Sequence, residues 1–149
     1  MPVFTLTPTS YSGTVAYPDP IESALFGEDL LFDDDLQLTA SGDYAIVSGV
    51  AAVRQAILVR LLTAPGEYAV RPDFGVGIRS WVKKRLTVSE IDTLRQLVID
   101  QLAKETRLER VESVIVERVT NNDLTGISVR VKATIIGREQ SFAYTTFSE

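Results

Sequence analysis

Val111–Phe147 reads VESVIVERVTNNDLTGISVRVKATIIGREQSFAYTTF, and this stretch decides the fold class. Its apolar residues recur with a period of two. Ile127, Val129, Val131, Ala133 and Ile135 alternate with Ser128, Arg130, Lys132 and Thr134, the pattern of a strand with one buried and one polar face. Asn121-Asn122-Asp123 and Gly137-Arg138 are turn signals on either side of that strand. Val111–Thr120 is a β-rich run before the first turn. Gln140–Phe147 is a last strand, with Phe142 and Tyr144 on one face and Ala143 and Phe147 on the other. Three strands joined by short turns make an antiparallel meander, and the last one is expected at a sheet edge.

Upstream the period is helical. Thr87-Val88-Ser89-Glu90 has the spacing of a capping box. Ile91, Leu94, Val98 and Leu102 then form an amphipathic stripe that predicts a helix to near Thr106. Earlier, Ser48 or Gly49 begins a second helix, with Val50, Val53, Ile57 and Leu61 on its stripe. Ala56 and Leu58 widen that stripe, while Arg54, Gln55 and Arg60 read as lying off it. Pro65-Gly66 stops this helix.

Between the two helices, Gly66–Trp81 reads GEYAVRPDFGVGIRSW. It is a long loop dense in turn residues, with the only tryptophan, and long ordered loops are often functional. Before the helices, Leu36–Val47 holds a turn at Ser41-Gly42-Asp43 between short apolar pieces, which predicts a small hairpin. Met1–Pro20, with four prolines and a glycine, reads as an extended arm. The organisation expected is α+β: residues 1–30 an extended acidic N-terminal arm, then residues 31–149 a single domain with two main helices and a C-terminal antiparallel β-meander.

Composition narrows the chemistry. The 149 residues are 45% apolar and 23% charged, which suits one globular domain. There is no histidine and no cysteine, which excludes Ser-His-Asp hydrolysis, cysteine nucleophiles and most zinc sites. Asp33-Asp34-Asp35 lacks the alternation, glycine and closing glutamate of a calcium loop. No cofactor and no metal is called for. No apolar run approaches the roughly 18 residues that span a bilayer, and Met1–Ser10 lacks the features of a signal peptide. No membrane partner is expected, and synthesis in the cytoplasm is.

Charge is uneven. Residues 1–50 carry eight acidic and no basic side chains, and residues 51–149 carry twelve acidic and fifteen basic. Nucleic-acid binding needs a concentrated basic face, so no nucleic-acid partner is expected. Lys83-Lys84-Arg85 is a short basic cluster suited to a solvated face or an acidic protein surface.

Glu67 and Asp73, near Tyr68, Arg71 and Arg79, are the only carboxylates that suggest a glycosidase pair. The alternative is charge-assisted hydrogen bonding that fixes the loop. Gly75-Val76-Gly77 lacks the third glycine of a dinucleotide fingerprint and points to close backbone approach. Tyr68, Phe74 and Trp81 are candidate anchors for a protein contact.

One segment resembles a known family. V-S-G at Val47–Gly49, R-Q-A-I at Arg54–Ile57, L-L-T-A-P-G-E at Leu61–Glu67 and R-P-D-F-G-V-G-I at Arg71–Ile78 resemble the W-like baseplate wedge, or sheath initiator, family. It belongs to contractile phage tails and related injection systems, and some members carry a lysozyme-like label. The resemblance runs over about Leu36–Phe147. It implies a non-enzymatic baseplate component, present in multiple copies in a ring and assembled into a virion or injection particle. It implies docking on the helical core bundle of the wedge through a Glu/Pro/Arg motif. Glu67 and Pro72 match that motif, Arg71 or Arg79 completes it, and Phe74 and Gly75 lie within it. It also implies strand pairing with sheath subunits, for which Ile127, Val129, Val131, Phe142 and Tyr144 are the candidates. Other wedge proteins and the sheath are the implied partners, with tube or spike proteins as further ones. Two other classes stay open: a carboxylate-based peptidoglycan glycosidase and a generic protein-binding adaptor.

Overall fold

The computed structural model describes residues 20–33, 35–82 and 86–147. Most of the expected arm and the Lys83-Lys84-Arg85 cluster lie outside them. The architecture is α+β, with every strand pair antiparallel. The chain divides within its second helix into two compact units, residues 20–56 and 57–147 of those described.

The first unit begins with α1 (Pro20–Phe26), a short helix within the stretch read as arm. Strand β1 (Glu28–Leu30) pairs with β4 (Ile46–Ser48), Leu30 opposite Ile46. Between them β2 (Phe32–Asp33) and β3 (Asp35–Leu36) form a minimal hairpin. The expected turn at Ser41-Gly42-Asp43 is present. Thr39 N donates to Asp43 O at 2.7 Å, and Leu38 bridges Tyr44. The start of α2 (Gly49–Leu62) completes this unit. Gln55 on that helix donates to Leu30 O (2.7 Å) and accepts from Phe32 N (3.0 Å). Phe26, Val47, Ala52 and Val53 are its buried apolar side chains.

The second unit holds the rest of α2, then α3 (Ile78–Val82) and α4 (Val88–Leu102). Helix α3 falls inside the segment read as loop. It is only five residues long, too short for a period to declare itself. The capping box forms: Glu90 N donates to Thr87 Oγ1 and Glu90 Oε2 accepts from Thr87 N. Helix α4 ends at Leu102, a full turn short of the expected end, where Lys104 N and Glu105 N turn back to Gln101 O and Leu102 O.

The sheet is the expected meander, order β5-β6-β7: β5 (Arg110–Asn121), β6 (Leu124–Ile135) and β7 (Arg138–Phe147). Both hairpins have two-residue loops with both residues at positive φ: Asn122 and Asp123 (46° and 67°), then Ile136 and Gly137 (44° and 69°). This twist matches that of the flanking strands. The second turn sits one residue earlier than its sequence signal, because Ile135 pairs with Arg138. Helix α4 packs on β5, and α3 on β6 and β7. Ile57, Leu61, Ile78, Leu94, Val98 and Leu102 are buried with the inner sheet residues Val114, Val116, Ile127, Val129, Val131 and Ile135. The outer sheet face carries the ion pairs Arg130–Glu117 (2.7 Å) and Lys132–Glu139 (2.6 Å).

Candidate functional site

The last carbonyl groups of a helix have no partner within it. In α2 the loop that follows supplies them. Val76 N donates to Arg60 O at 3.0 Å and Gly77 N to Thr63 O at 2.8 Å. The return is so close that a Cβ on Gly75 would lie 2.1 Å from Thr63 O, and Gly75 holds φ +101°. No other residue type fits there. The close approach expected of Gly75 is therefore present.

Between Thr63 and Gly75 the chain is a series of tight turns. Gly66 N bonds Pro72 O (2.9 Å), Arg71 N bonds Tyr68 O (3.0 Å) and Phe74 N bonds Arg71 O (3.0 Å). The Glu67 carboxylate accepts from Ala64 N at 2.8 Å. It fixes the loop, but through a backbone amide and not through the neighbouring arginines.

Helix α4 holds this loop from one side. Buried Gln101 donates from Nε2 to Asp73 O (2.8 Å) and accepts at Oε1 from Gly75 N (3.1 Å). Lys104 Nζ reaches the Asp73 carboxylate at 2.9 Å. The Lys104 hydrogen bond and charge hold the Asp73 carboxyl below the usual range.

Helix α2 contributes Arg60, which is 5% exposed. Its guanidinium lies 4.5 Å from the Phe74 ring centroid, and Arg71 lies 5.7 Å from the same ring. Tyr68 meets Phe74 edge-on at 6.2 Å. Arg60 Nη2 is 3.5 Å from Glu105 Oε2, and Arg107 Nε is 2.6 Å from Glu105 Oε1. Burial pushes the Glu105 carboxyl up, but the Arg107 hydrogen bond and charge, with Arg60, bring it below its usual range. Nε and Nη1 of Arg60 have no hydrogen-bond partner among the described residues, so the Phe74 ring face is a main contact of that cation.

The outward side is accessible and mixed in character, with Tyr68 and Val70 exposed beside its charged residues. Glu67, Arg71 and Pro72 are exposed, Phe74 is half-buried and Gly75 is buried. Val59, Thr63, Glu67, Tyr68 and Phe74 line an open groove of about 400 Å³. Arg79 is exposed on α3, beyond the loop, and Trp81 on the same helix is half-buried.

The strand candidates divide. Ile127, Val129 and Val131 lie on β6, which pairs with β5 on one side and β7 on the other. Their side chains are at most 3% exposed. The expectation that they serve strand pairing is corrected: both edges of β6 are occupied, and these residues build the core. Phe142 and Tyr144 lie on β7, an outer strand of the β5-β6-β7 order among the described residues; Tyr144 is buried and Phe142 half-buried.

Sequence reasoning missed Gln101 and Lys104 and placed Arg60 off the helix stripe. Arg60 follows Val53 by seven residues, and Gln101 follows Leu94 by seven, which returns each to the buried face. A polar residue at a stripe position was the available signal.

The model of the family described as baseplate wedge protein gp25 matches residues 47–140. No protein with a curated description matches the chain. Among solved structures, a baseplate protein of the anti-feeding prophage is similar, with TM-score 0.58 and 18% identity over 87% of this chain and 91% of that one. A candidate tail lysozyme from Geobacter sulfurreducens is also similar, with TM-score 0.54 and 20% identity over 65% of this chain and 88% of that one. Among the described residues no helix is long and apolar enough to cross a membrane. The family match spans the end of β4, all of α2, the clamped loop, α3, α4 and most of the sheet, and it covers well over half of the chain. The chain therefore belongs to the gp25 baseplate wedge family: it is a structural component of the baseplate of a phage or injection particle, with other baseplate proteins as its partners.

Proposed function

We propose that the chain docks onto the helical core of the wedge through the α2–α3 loop and starts the sheath through strand β7 of its sheet. The observation that carries the docking part is the loop's two-sided construction. Glu67, Arg71 and Pro72 face solvent, while Gln101, Lys104 and Arg60 hold the backbone and the Phe74 ring behind them. A preorganised loop loses less entropy when it binds. Arg71, which lies over Phe74, is the arginine we assign to the motif rather than Arg79.

The two outer strands of the described sheet differ in chemistry. Strand β5 carries Arg110, Glu112, Glu117 and Arg118 and is broken by a bulge between Val111 and Ser113. Charges and bulges protect edges from pairing. Strand β7 has no charge, proline or bulge from Gln140 to Phe147. Sheath subunits are the partner this reading assigns to β7; tube or spike proteins are further neighbours in the same ring of copies.

The reading makes the chain a non-enzyme. A glycosidase would need a carboxylic acid with a raised pKa. Lys104 moves Asp73 the opposite way. Glu67 already spends one oxygen on Ala64 N.

Particle assembly in the presence of variants tests both parts. Glu67→Ala is expected to fold, by circular dichroism, but to be missing from purified baseplates. Ser141→Lys with Ala143→Lys is expected to enter baseplates that then carry bare tubes. Normal sheathed particles from either variant would overturn the corresponding part. Clearing of cell-wall substrate by the purified chain, lost on Glu67→Gln, would restore the glycosidase reading.

A further inference from the structure

Residues 20–46 lie before the family match and carry a feature that neither docking nor sheath pairing uses. The β1–β4 ribbon continues past its regular pairs to the Leu38–Tyr44 bridge, so Leu30 faces Ile46 and Leu38 faces Tyr44. Tyr44 and Ile46 are two residues apart and share a face, while Val47 turns the other way and is buried. Leu30, Leu38, Tyr44 and Ile46 are 42%, 61%, 57% and 59% exposed. Two neighbouring cross-strand apolar pairs thus stand in water on one side of the ribbon.

The ribbon holds its shape by backbone bonds. Leu31 N donates to Ala45 O, Ala45 N to Gln37 O, and Gln37 N to Leu31 O, all within 3.0 Å. Gln55 fixes Leu30 and Phe32 from behind. The apolar face is therefore built without a cover among the described residues. Glu28, two residues before Leu30 and so on the same face, is exposed, as are Asp35 and Asp43 in the adjoining hairpin and turn, and the chain has no lysine or arginine before Arg54.

We propose that this face is a docking surface for a basic, apolar-bearing segment of another baseplate protein. Contiguous exposed apolar surface marks interaction sites, and a rim of one charge selects a partner of the other sign. A second copy meeting the same face would bring the two carboxylate rims together, and like charges oppose that arrangement.

The test places a photoreactive residue, Tyr44→p-benzoylphenylalanine, in the full chain within assembled particles. Irradiation is followed by peptide mass spectrometry of the adduct. The expected adduct is with a different baseplate protein, in a segment of net positive charge that contains apolar residues. Its yield is expected to fall several-fold when Glu28 is changed to glutamine and Asp35 and Asp43 to asparagine together. An adduct with a second copy, with another part of the same chain or with an acidic segment would overturn the proposal. So would particles that contain the labelled chain but give no adduct. Leu38→Ser with Ile46→Ser supplies an independent measurement. The free chain should melt as before, and its incorporation should drop several-fold; unchanged incorporation would also overturn the assignment.

Discussion

Gln55 and Gln101 make the same pair of bonds in two different settings. Each donates to the carbonyl of one residue and accepts from the amide two residues later: Leu30 and Phe32 for Gln55, Asp73 and Gly75 for Gln101. Each lets a helix hold a neighbouring stretch of backbone by two side-chain bonds. Gln55 works at an exposed ribbon, where water replaces a lost bond. Gln101 is 5% exposed, and the Gly75 amide it satisfies is buried. The geometry is shared, and burial sets what each bond is worth: an unpaired polar group costs most where water cannot reach it. The α2–α3 loop is the region held by buried bonds and the acidic ribbon the region held by exposed ones.

Four substitutions and one titration sharpen or break this contrast. The largest effect is expected from Gly75→Ala. Its Cβ would overlap Thr63 O, and φ +101° is unfavourable for any side chain. The loss should be roughly 3 kcal/mol or more, or a failure to fold, measured by urea unfolding. Gln101→Leu should follow at about 2–4 kcal/mol, since it strands Gly75 N and Asp73 O together. It should also free the loop, so amide exchange should quicken for Phe74 and Gly75 before the sheet is affected.

The matched changes in the ribbon should be milder. Gly42→Ala places a Cβ in open space at φ +86°, so only the backbone term remains, about 1 kcal/mol. Gln55→Leu should cost about 1 kcal/mol or less, because water reaches Leu30 O and Phe32 N. Equal losses for Gln55→Leu and Gln101→Leu would break the comparison.

The smallest effect is a pH dependence. Asp73 and Glu105 both have carboxyls held below their usual range in the fold. Each binds its proton more readily when unfolded. Their contribution is present above the unfolded values, near pH 4, and is lost as pH falls through the folded ones. The melting temperature should therefore drop below about pH 4. Lys104→Met should remove the Asp73 part of that drop, and an unchanged acid limb would deny the Lys104 bond a role.

Much of the fold was legible in the residues. The period-two run of β6, the Asn122-Asp123 turn, the Thr87–Glu90 box and the Pro65-Gly66 break are all decided by neighbours within a few positions. Glu67, Pro72, Phe74 and Gly75 were legible as one loop for the same reason. Helix α3 was not, since five residues carry no clear period. Arg60 was misread because a charged residue on a buried face makes sense only beside Phe74 and Glu105, which lie 14 and 45 positions away.

By itself, then, the sequence determined the order of helices and strands, the tightness of the turns and the need for glycine where the loop closes on α2. These follow from local sterics, capping and periodicity. Only the tertiary structure decided that the most regular strand is the central one, with both edges taken. It alone made Gln101 and Arg60 the supports of the α2–α3 loop and left four apolar side chains of the ribbon in water. Burial and edge pairing depend on which distant segments meet, and no local pattern contains that information.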